Sequence, residues 1–427
     1  MMNYKESLEK IYSLKQMGMK LGLENIRSFL RFLGNPQLEL KTIHVAGSNG
    51  KGSTASFIAS ILKEAGLSVG LFTSPHFVDY SERFRINGSM VEPEFITRFI
   101  NEYEKAIDDF HITFFEISAA IAFTYFKEKK VDFAVIETGL GGRLDATNTM
   151  SPIAEVITTI SHEHTNILGE SLREIAREKA GIVKRDSKVF AGILPDEALD
   201  EISGICSEKK SALFSLTDFI VSGKDFVKMN IDSKNINIYG TGFIGRHQLN
   251  NAALAVLTLS ETLGINDFEV INSGLRNVKT NSGLEGRFEI YNKKPLVIFD
   301  SAHNREGVEA FVDAFAVKGK NCRRRKLIFG AMRDKKVEGI LILLKEHFDD
   351  FYFTTIDFHR AASIEELIEI AEPLGIKGTP LPNPAEFINN FIQLENDDCL
   401  AVVGSIYVLG EIKYRLREIR ILSRAKA

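Results

Sequence analysis

The stretch Thr42-Ile-His-Val-Ala-Gly-Ser-Asn-Gly-Lys-Gly-Ser-Thr54 joins a β-branched run to a glycine-rich turn and then directly to an apolar helical run of Phe57, Ile58, Ile61 and Leu62. A strand that turns on glycines straight into a helix opens a β–α unit. Glycines let successive backbone N–H groups converge on a phosphate, and the helix offers its positive end to the same anion. Lys51 reaches the outer phosphates, and a hydroxyl reaches Mg²⁺. The stretch therefore predicts a nucleoside triphosphate site. It departs from the pattern G-x-x-x-x-G-K-[ST], which needs glycine where Val45 stands, and Gly52 separates Lys51 from Ser53 and Thr54. An ordinary glycine turn is the competing reading. A lysine at the start of the helix favours phosphate.

Strand and helix patterns alternate along the chain. Strands are expected at Ile43–Gly47, Val69–Thr73, Phe133–Thr138, Ala154–Ile160 and Val189–Ile193, with helices near Thr54–Ala65, Glu94–Ile107, Glu116–Glu128 and Ser171–Ala180. Apolar strands separated by helices imply a parallel sheet covered on both faces, with ligands beyond the carboxyl ends of the strands. Phe219–Val221, Phe226–Ile231 and Ile236–Tyr239 read as short antiparallel strands, and a helix follows at Gln248–Leu263. A second α/β unit starts near Lys293. Its strands are Pro295–Phe299, Lys326–Gly330, Phe351–Thr355 and Leu400–Val403, and Val308, Phe311, Val312 and Phe315 fall at helical spacing. The expected fold is α/β: an N-terminal ATP-binding domain with a mostly parallel sheet over residues 1–285, a linker at 286–294, and a smaller Rossmann-like α/β domain over 295–427. A cleft between two such domains is a usual place for catalysis.

Composition narrows the function. The chain has 427 residues, 44% hydrophobic and 26% charged, as in an ordinary globular protein. A net charge of −4 argues against general nucleic-acid or membrane-surface binding. Cys206, Cys322 and Cys399 form no C-x-x-C pair and fit a reducing compartment. No apolar run approaches the roughly 20 residues of a transmembrane helix, and MMNYKESLEK lacks an apolar signal core. A cytoplasmic monomer acting on small molecules is expected.

Several motifs sit at strand ends. Thr73-Ser-Pro-His76 follows one strand. Glu137-Thr-Gly-Leu-Gly-Gly-Arg-Leu-Asp-Ala-Thr-Asn148 follows another, placing a carboxylate where the metal of a nucleotide belongs and glycines where backbone approaches a ligand. In Ser161-His-Glu-His-Thr165, His162 and His164 alternate along an extended chain, so only one of the two serves the site. Arg177-Glu-Lys-Ala-Gly-Ile182 lies on a helix, where spacing alone assigns Lys179 to a solvated face. Asp300 and His303 bracket a strand-to-helix turn in the second domain, facing a nucleotide across the cleft. Arg287, in the linker, forks onto phosphate when the domains close.

Taken in order, LGLENIR, HVAGSNGKGST, TSPH, TFFE, ETGLGGRLDATN, ISHEHTNILG, REKAGI, GRHQLNNA, LEGRFE, FDSAHN, FGAMRDKK and VVGSIY resemble the Mur-ligase superfamily, and within it the folylpolyglutamate synthase/dihydrofolate synthase family. The resemblance spans essentially the whole chain, and that superfamily's shorter phosphate loop accounts for the departure at Val45. It implies that Gly50, Lys51, Gly52 and Ser53 cradle ATP phosphates, and that Ser74, Glu137 and His164 hold magnesium. It implies that Asn251, Arg287 and Asp300 contact ATP, with His303 beside them. It matches Lys179 to a carbamylated lysine. Leu21, Gly22 and Leu23, Phe115 and Glu116, and Leu144, Asp145 and Ala146 match pterin or folate contacts. The family often has aspartate where Glu163 stands.

The implied reaction is ATP-driven amide formation. A folate or pteroate carboxylate attacks the γ-phosphate, and the α-amine of L-glutamate attacks the resulting acyl phosphate. Lys51 and Mg²⁺ neutralise charge on the transferring group, and domain closure excludes water. Three other readings compete. A peptidoglycan amino-acid ligase carries a nucleotide-sugar domain before the loop, and 46 residues before Gly47 are too few for one. A nucleotide switch does not need Asp300, His303 and Arg287. A folylpolyglutamate synthase without dihydrofolate synthase activity shares the same ATP motifs, though LGLENIR resembles the pteroate-contacting segment of bifunctional members.

Overall fold

The computed structural model describes residues 1–18, 22–223, 226–231 and 234–426. It divides into two compact units. The first comprises residues 1–76, 80–242 and 247–284, and the second residues 77–79, 243–246 and 285–427.

The first unit is built on a sheet of eight strands among the described residues: β1 (Thr42–Ala46), β2 (Val69–Phe72), β3 (Phe84–Ile86), β4 (Ser89–Met90), β5 (Phe133–Glu137), β6 (Ala154–Ile157), β7 (Lys188–Ala191) and β8 (Ala212–Ser215). Their order is β4-β3-β2-β5-β1-β6-β7-β8. β1 lies at the centre, parallel to β5 and β6, and the hairpin β3–β4 adds antiparallel to β2. β1, β2 and β6 are buried along their whole length, as central strands with both faces covered must be. The helix Lys51–Glu64 is buried from Gly52 to Leu62. Phe29, Phe72, Phe84, Phe99, Phe123 and Phe126 belong to one core cluster, and Ile157, Ile175, Ala176 and Ile182 to another. Strands β9 (Ile220–Ser222), β10 (Val227–Ile231) and β11 (Lys234–Ile238) form the expected antiparallel sheet.

The second unit holds β12 (Glu289–Lys293), β13 (Leu296–Phe299), β14 (Arg325–Phe329), β15 (Asp350–Phe353), β16 (Gly378–Pro380) and β17 (Cys399–Val403), in the order β12-β13-β17-β14-β15-β16. All pairs are parallel except β12–β13. Residues 286–294 are therefore not a free linker. Most of the segment is β12, hydrogen-bonded to β13 as an edge strand. Its half-buried residues and polar side chains gave it a loop-like composition.

Two further readings change. β6 ends at Ile157 rather than Ile160, and residues 158–164 form a loop. β3, β4, β8, β12 and β16, all at or near sheet edges, were not expected. Among the described residues no helix is long and apolar enough to cross a membrane.

Candidate active site

The loop after β1 is shaped by two glycines. Gly47 has φ +147° and Gly50 φ +84°. A Cβ at Gly47 would collide with Thr158 Oγ1, and one at Gly50 would lie 2.5 Å from Asn251 Oδ1. Only glycine meets both demands. The loop is pinned from the 158–161 segment: Ser48 N donates to Thr159 O (2.8 Å), Asn49 N to Thr159 Oγ1 (2.9 Å), and Ser161 N to Ser48 Oγ (3.0 Å). Gly50 starts the helix Lys51–Glu64, and no side chain caps it. Its first-turn N–H groups are left for an anion. Asn251, expected beside ATP, stands 7% exposed on the helix Arg246–Leu263, against Gly50.

Two cations close on the loop. Lys51 Nζ donates to the carbonyls of Gly47 (2.7 Å) and Ser48 (3.0 Å). Lys179 Nζ donates to Gly47 O (2.9 Å) and to Glu163 Oε1 (2.6 Å). Lys179 is 1% exposed, so the solvated-face reading fails. The helix Leu172–Ala180 turns this residue inward, onto the phosphate loop. Burial pushes its ammonium down to about 8, against the pull of Glu163 and with the repulsion of Lys51. Burial opposes the charge of Glu163 too, but Lys179 and Lys51 outweigh it and hold the carboxyl at about 2. Both partners are thus charged at neutral pH. Glu163 had been given no role in the sequence; its partner sits 16 residues away, and only the fold pairs them.

Glu137 ends β5, in register with Val45 of β1, and is buried. Its Oε2 accepts from Ser74 N at 2.9 Å. A Cβ on Gly52 would lie 3.5 Å from the same oxygen, so the carboxylate faces the first turn of the phosphate-loop helix. The hydroxyls of Ser53 and Thr54 are buried without a hydrogen-bond partner among the described residues. His164 is half-buried with φ +46°, and starts a short helix, while His162 is exposed. The chain is therefore not extended at His164, and the alternation argument loses its premise although the two histidines do differ in exposure. Carboxylate, hydroxyl and imidazole donors fit a Mg²⁺ that keeps waters and shares the phosphate oxygens.

The glycine segment after Glu137 is organised by Asp145. Its Oδ2 accepts from Gly139 N and Leu140 N (both 2.8 Å), and its Oδ1 from Thr147 N (3.0 Å) and Thr147 Oγ1 (2.5 Å). Four bonds leave this carboxylate shaping the loop rather than reaching a ligand. His44, buried on β1, joins the same network through Thr147 Oγ1 (2.8 Å). Leu144 is half-buried and Ala146 buried beside it. Asn148 Nδ2 donates to Arg143 O and Gly181 O, each at 3.0 Å, and so ties the segment to the end of the Lys179 helix.

The other substrate candidates vary. Leu21 lies outside the described residues. Gly22 has φ +145° and Leu23, buried, starts the helix Glu24–Phe32. The Phe115 ring packs on Gly139, whose Cβ it would exclude. Glu116 Oε2 accepts from Thr113 N and Oγ1 (both 2.8 Å) in a capping box at the start of the helix Phe114–Glu128. An aromatic group with cations surrounds His76, unmarked in the sequence because its members are scattered. Lys15 Nζ lies 4.4 Å from the Tyr12 ring centroid and Arg83 5.2 Å from that of Phe114. Arg83 Nε donates to His76 Nδ1 at 2.8 Å. Burial, then Arg83 and Lys15, hold His76 neutral, down at about 2.

In the second unit, Asp300 follows β13. Its Oδ2 accepts from Phe288 N (2.7 Å) and its Oδ1 from Ala302 N (2.8 Å). Burial pushes its carboxyl up, against those bonds and the Arg287 charge. Arg287 Nη1 donates to Ser301 Oγ, and Ser301 N to Gly286 O at 3.0 Å. His303 Nδ1 lies 2.9 Å from Ser301 O, which favours the proton on Nδ1, since a carbonyl only accepts. Arg287, Asp300 and His303 are thus knitted into one loop pair at the end of β13.

Two family descriptions match this chain: the Mur ligase middle domain over residues 45–259, and the Mur ligase glutamate ligase domain over residues 286–406. The dihydrofolate synthase/folylpolyglutamate synthase of Bacillus subtilis is 34% identical over 431 residues, covering 97% of this chain and 99% of that protein. The structure of Escherichia coli FolC in complex with DHPP and ADP superposes with a TM-score of 0.88 at 29% identity, covering 98% of this chain and 99% of that one. The bifunctional folylpolyglutamate synthase/dihydrofolate synthase of Yersinia pestis complexed with AMPPNP and Mn ion has a TM-score of 0.85 at 28% identity, covering 97% and 98%.

Proposed function

The chain belongs to the dihydrofolate synthase/folylpolyglutamate synthase family of Mur-type ligases, and we propose that it joins L-glutamate to a folate, and to dihydropteroate, at the expense of ATP. The observation that carries this reading is the convergence of Lys51 and Lys179 on the uncapped phosphate loop, with Glu137 against its first turn.

The residues divide the work as follows. The N–H groups of Gly50, Gly52 and Ser53 receive the phosphates at the helix start. Lys51 leaves the Gly47 and Ser48 carbonyls to meet the γ-phosphoryl, where a compact ammonium offsets the charge that develops in transfer. Ser74, Glu137 and His164 hold Mg²⁺, which when bound neutralises the phosphate oxygens. The acceptor carboxylate oxygen attacks phosphorus and ADP leaves. The glutamate amine then attacks the acyl carbon, and phosphate departs with that oxygen. Lys179, whose ammonium burial pushes down to about 8, gives up its proton more readily than an ordinary lysine, and the free amine is then suited to take up CO₂ as a carbamate, losing a second proton as the N–C bond forms. Asn251, Arg287 and Asp300 serve the nucleotide. Gly22, Leu23, Phe115, Leu144 and Ala146 line the pterin, with Asp145 and Glu116 positioning their loops. Aromatic rings and cations around His76 suit a flat heterocycle with an anionic tail.

The test supplies ATP, Mg²⁺ and glutamate with dihydropteroate or with tetrahydrofolate, separately, and follows phosphate release. Release with both acceptors supports the bifunctional reading. Release with tetrahydrofolate alone makes the chain a folylpolyglutamate synthase only, and release with neither contradicts the proposal.

A further inference from the structure

At the amino ends of the first unit's strands, opposite the phosphate loop, a groove of about 630 Å³ opens among Lys41, Phe133, Pro152, Lys184, Arg185 and Lys188. Lys41 precedes β1, Phe133 starts β5 and Lys188 starts β7. β1 spans five residues, about 17 Å at ~3.3 Å per residue, so a ligand here does not touch the nucleotide.

The wall is basic. Four cations against the single carboxylate of Asp186 leave it at a net +3, on a chain whose net charge is −4. Among the described residues one ion pair touches it, Arg185–Asp186 at 3.6 Å, between exposed side chains. Lys41 sits 5.9 Å from the centroid of the Phe133 ring. Lys188 Nζ donates to the Glu261 carbonyl, and Lys184 Nζ to Asn148 Oδ1 at 2.5 Å. An ammonium has three donors, so each of these keeps N–H groups for a ligand.

We propose that this groove is a second anion site, which binds a small multivalent anion, an oligophosphate or an oligocarboxylate. Its occupancy is felt at the active site through Lys184. That ammonium holds Asn148, which pins the glycine segment at Arg143 and Gly181 to the Lys179 helix. A ligand that draws Lys184 into the groove takes a charged donor from this tie.

The experiment is calorimetric titration of the full chain carrying Lys51→Ala, which weakens phosphate binding at the nucleotide loop, with inorganic triphosphate and with tri-γ-glutamate. One equivalent of at least one probe is expected to bind, more weakly as salt rises. Adding Lys41→Gln and Lys188→Gln should lower its affinity by about tenfold or more, since roughly 1.4 kcal/mol is a factor of ten. Arg185→Glu, at an exposed side chain, repeats the test without risk to the core. The tighter probe tells phosphate from carboxylate. Binding of neither probe, or binding indifferent to Lys41, Lys188 and Arg185, overturns the proposal.

Discussion

Lys51 and Lys179 donate to the same carbonyl oxygen, that of Gly47, at 2.7 and 2.9 Å. Two ammonium groups on one oxygen repel each other, and the repulsion from Lys51 contributes to the lowered Lys179 pKa. Glu163 compensates one of them. In the proposed function a bound γ-phosphate would compensate the other.

Lys51→Ala should leave the fold intact, since Lys51 is half-buried and, among the described residues, its ammonium bonds loop carbonyls. Ligation should fall by on the order of 10²-fold or more. Near-normal turnover at saturating ATP, with an unchanged thermal midpoint, would refute the role.

Glu137→Gln keeps shape and removes charge. Mg²⁺ dependence should shift to higher concentration and the rate fall by on the order of 10²-fold. His164→Ala should act in the same direction, and His162→Ala, at an exposed site, should not. Sensitivity at His162 instead would break the metal assignment.

Lys179→Ala should lose most activity, with short carboxylic acids restoring part of it if a carbamate is the working form. The variant also strands Glu163, largely shielded from solvent beside it. Removing one partner of a buried pair costs about 3–5 kcal/mol, so the thermal midpoint should drop as well. Full activity would return Lys179 to a structural part.

How far these parts could be read from sequence depends on whether their signal is local. The β1–loop–helix unit and the central parallel strands carry their own glycines and apolar runs, and they stand where expected, although β6 ends three residues early. Lys179 did not, because Arg177 and Glu178 beside it are polar and its burial is set by a loop 132 residues away. Asp145 read as a ligand contact, yet its oxygens are consumed by its own loop. β12 is an edge strand whose partner, β13, gives it order that its polar side chains do not advertise. The groove at the amino ends of the strands draws on five separate chain segments and has no motif.

Glu155 gives a pH test. It is buried on β6, Oε2 has no partner among the described residues, and burial pushes its carboxyl up to about 7 from 4.5, against Ser187, Lys184 and Lys209. The folded state then holds a proton that the unfolded state gives up between pH 4.5 and 7, so stability falls as pH rises through that window. Glu155→Gln should be more stable than the parent at pH 8, by up to about 3 kcal/mol, and the difference should vanish below pH 4.5. Equal denaturant midpoints at both pH values would contradict this.

His303→Ala should lower turnover more than stability, since a half-buried turn residue contributes little to a core. Thermal midpoint and glutamate-dependent phosphate release are measured side by side. A variant that unfolds early yet keeps its rate when folded would make His303 structural.

Acyl-phosphate transfer at the phosphate loop is tested most directly by isotope. A folate acceptor labelled with ¹⁸O in its carboxylate is turned over with ATP and glutamate, and the released phosphate is weighed by mass spectrometry. One ¹⁸O atom in each phosphate is the predicted result, with no release from the Lys51→Ala protein. Unlabelled phosphate, released at the same rate without glutamate, would mean that water takes the γ-phosphoryl and that the chain is not a ligase.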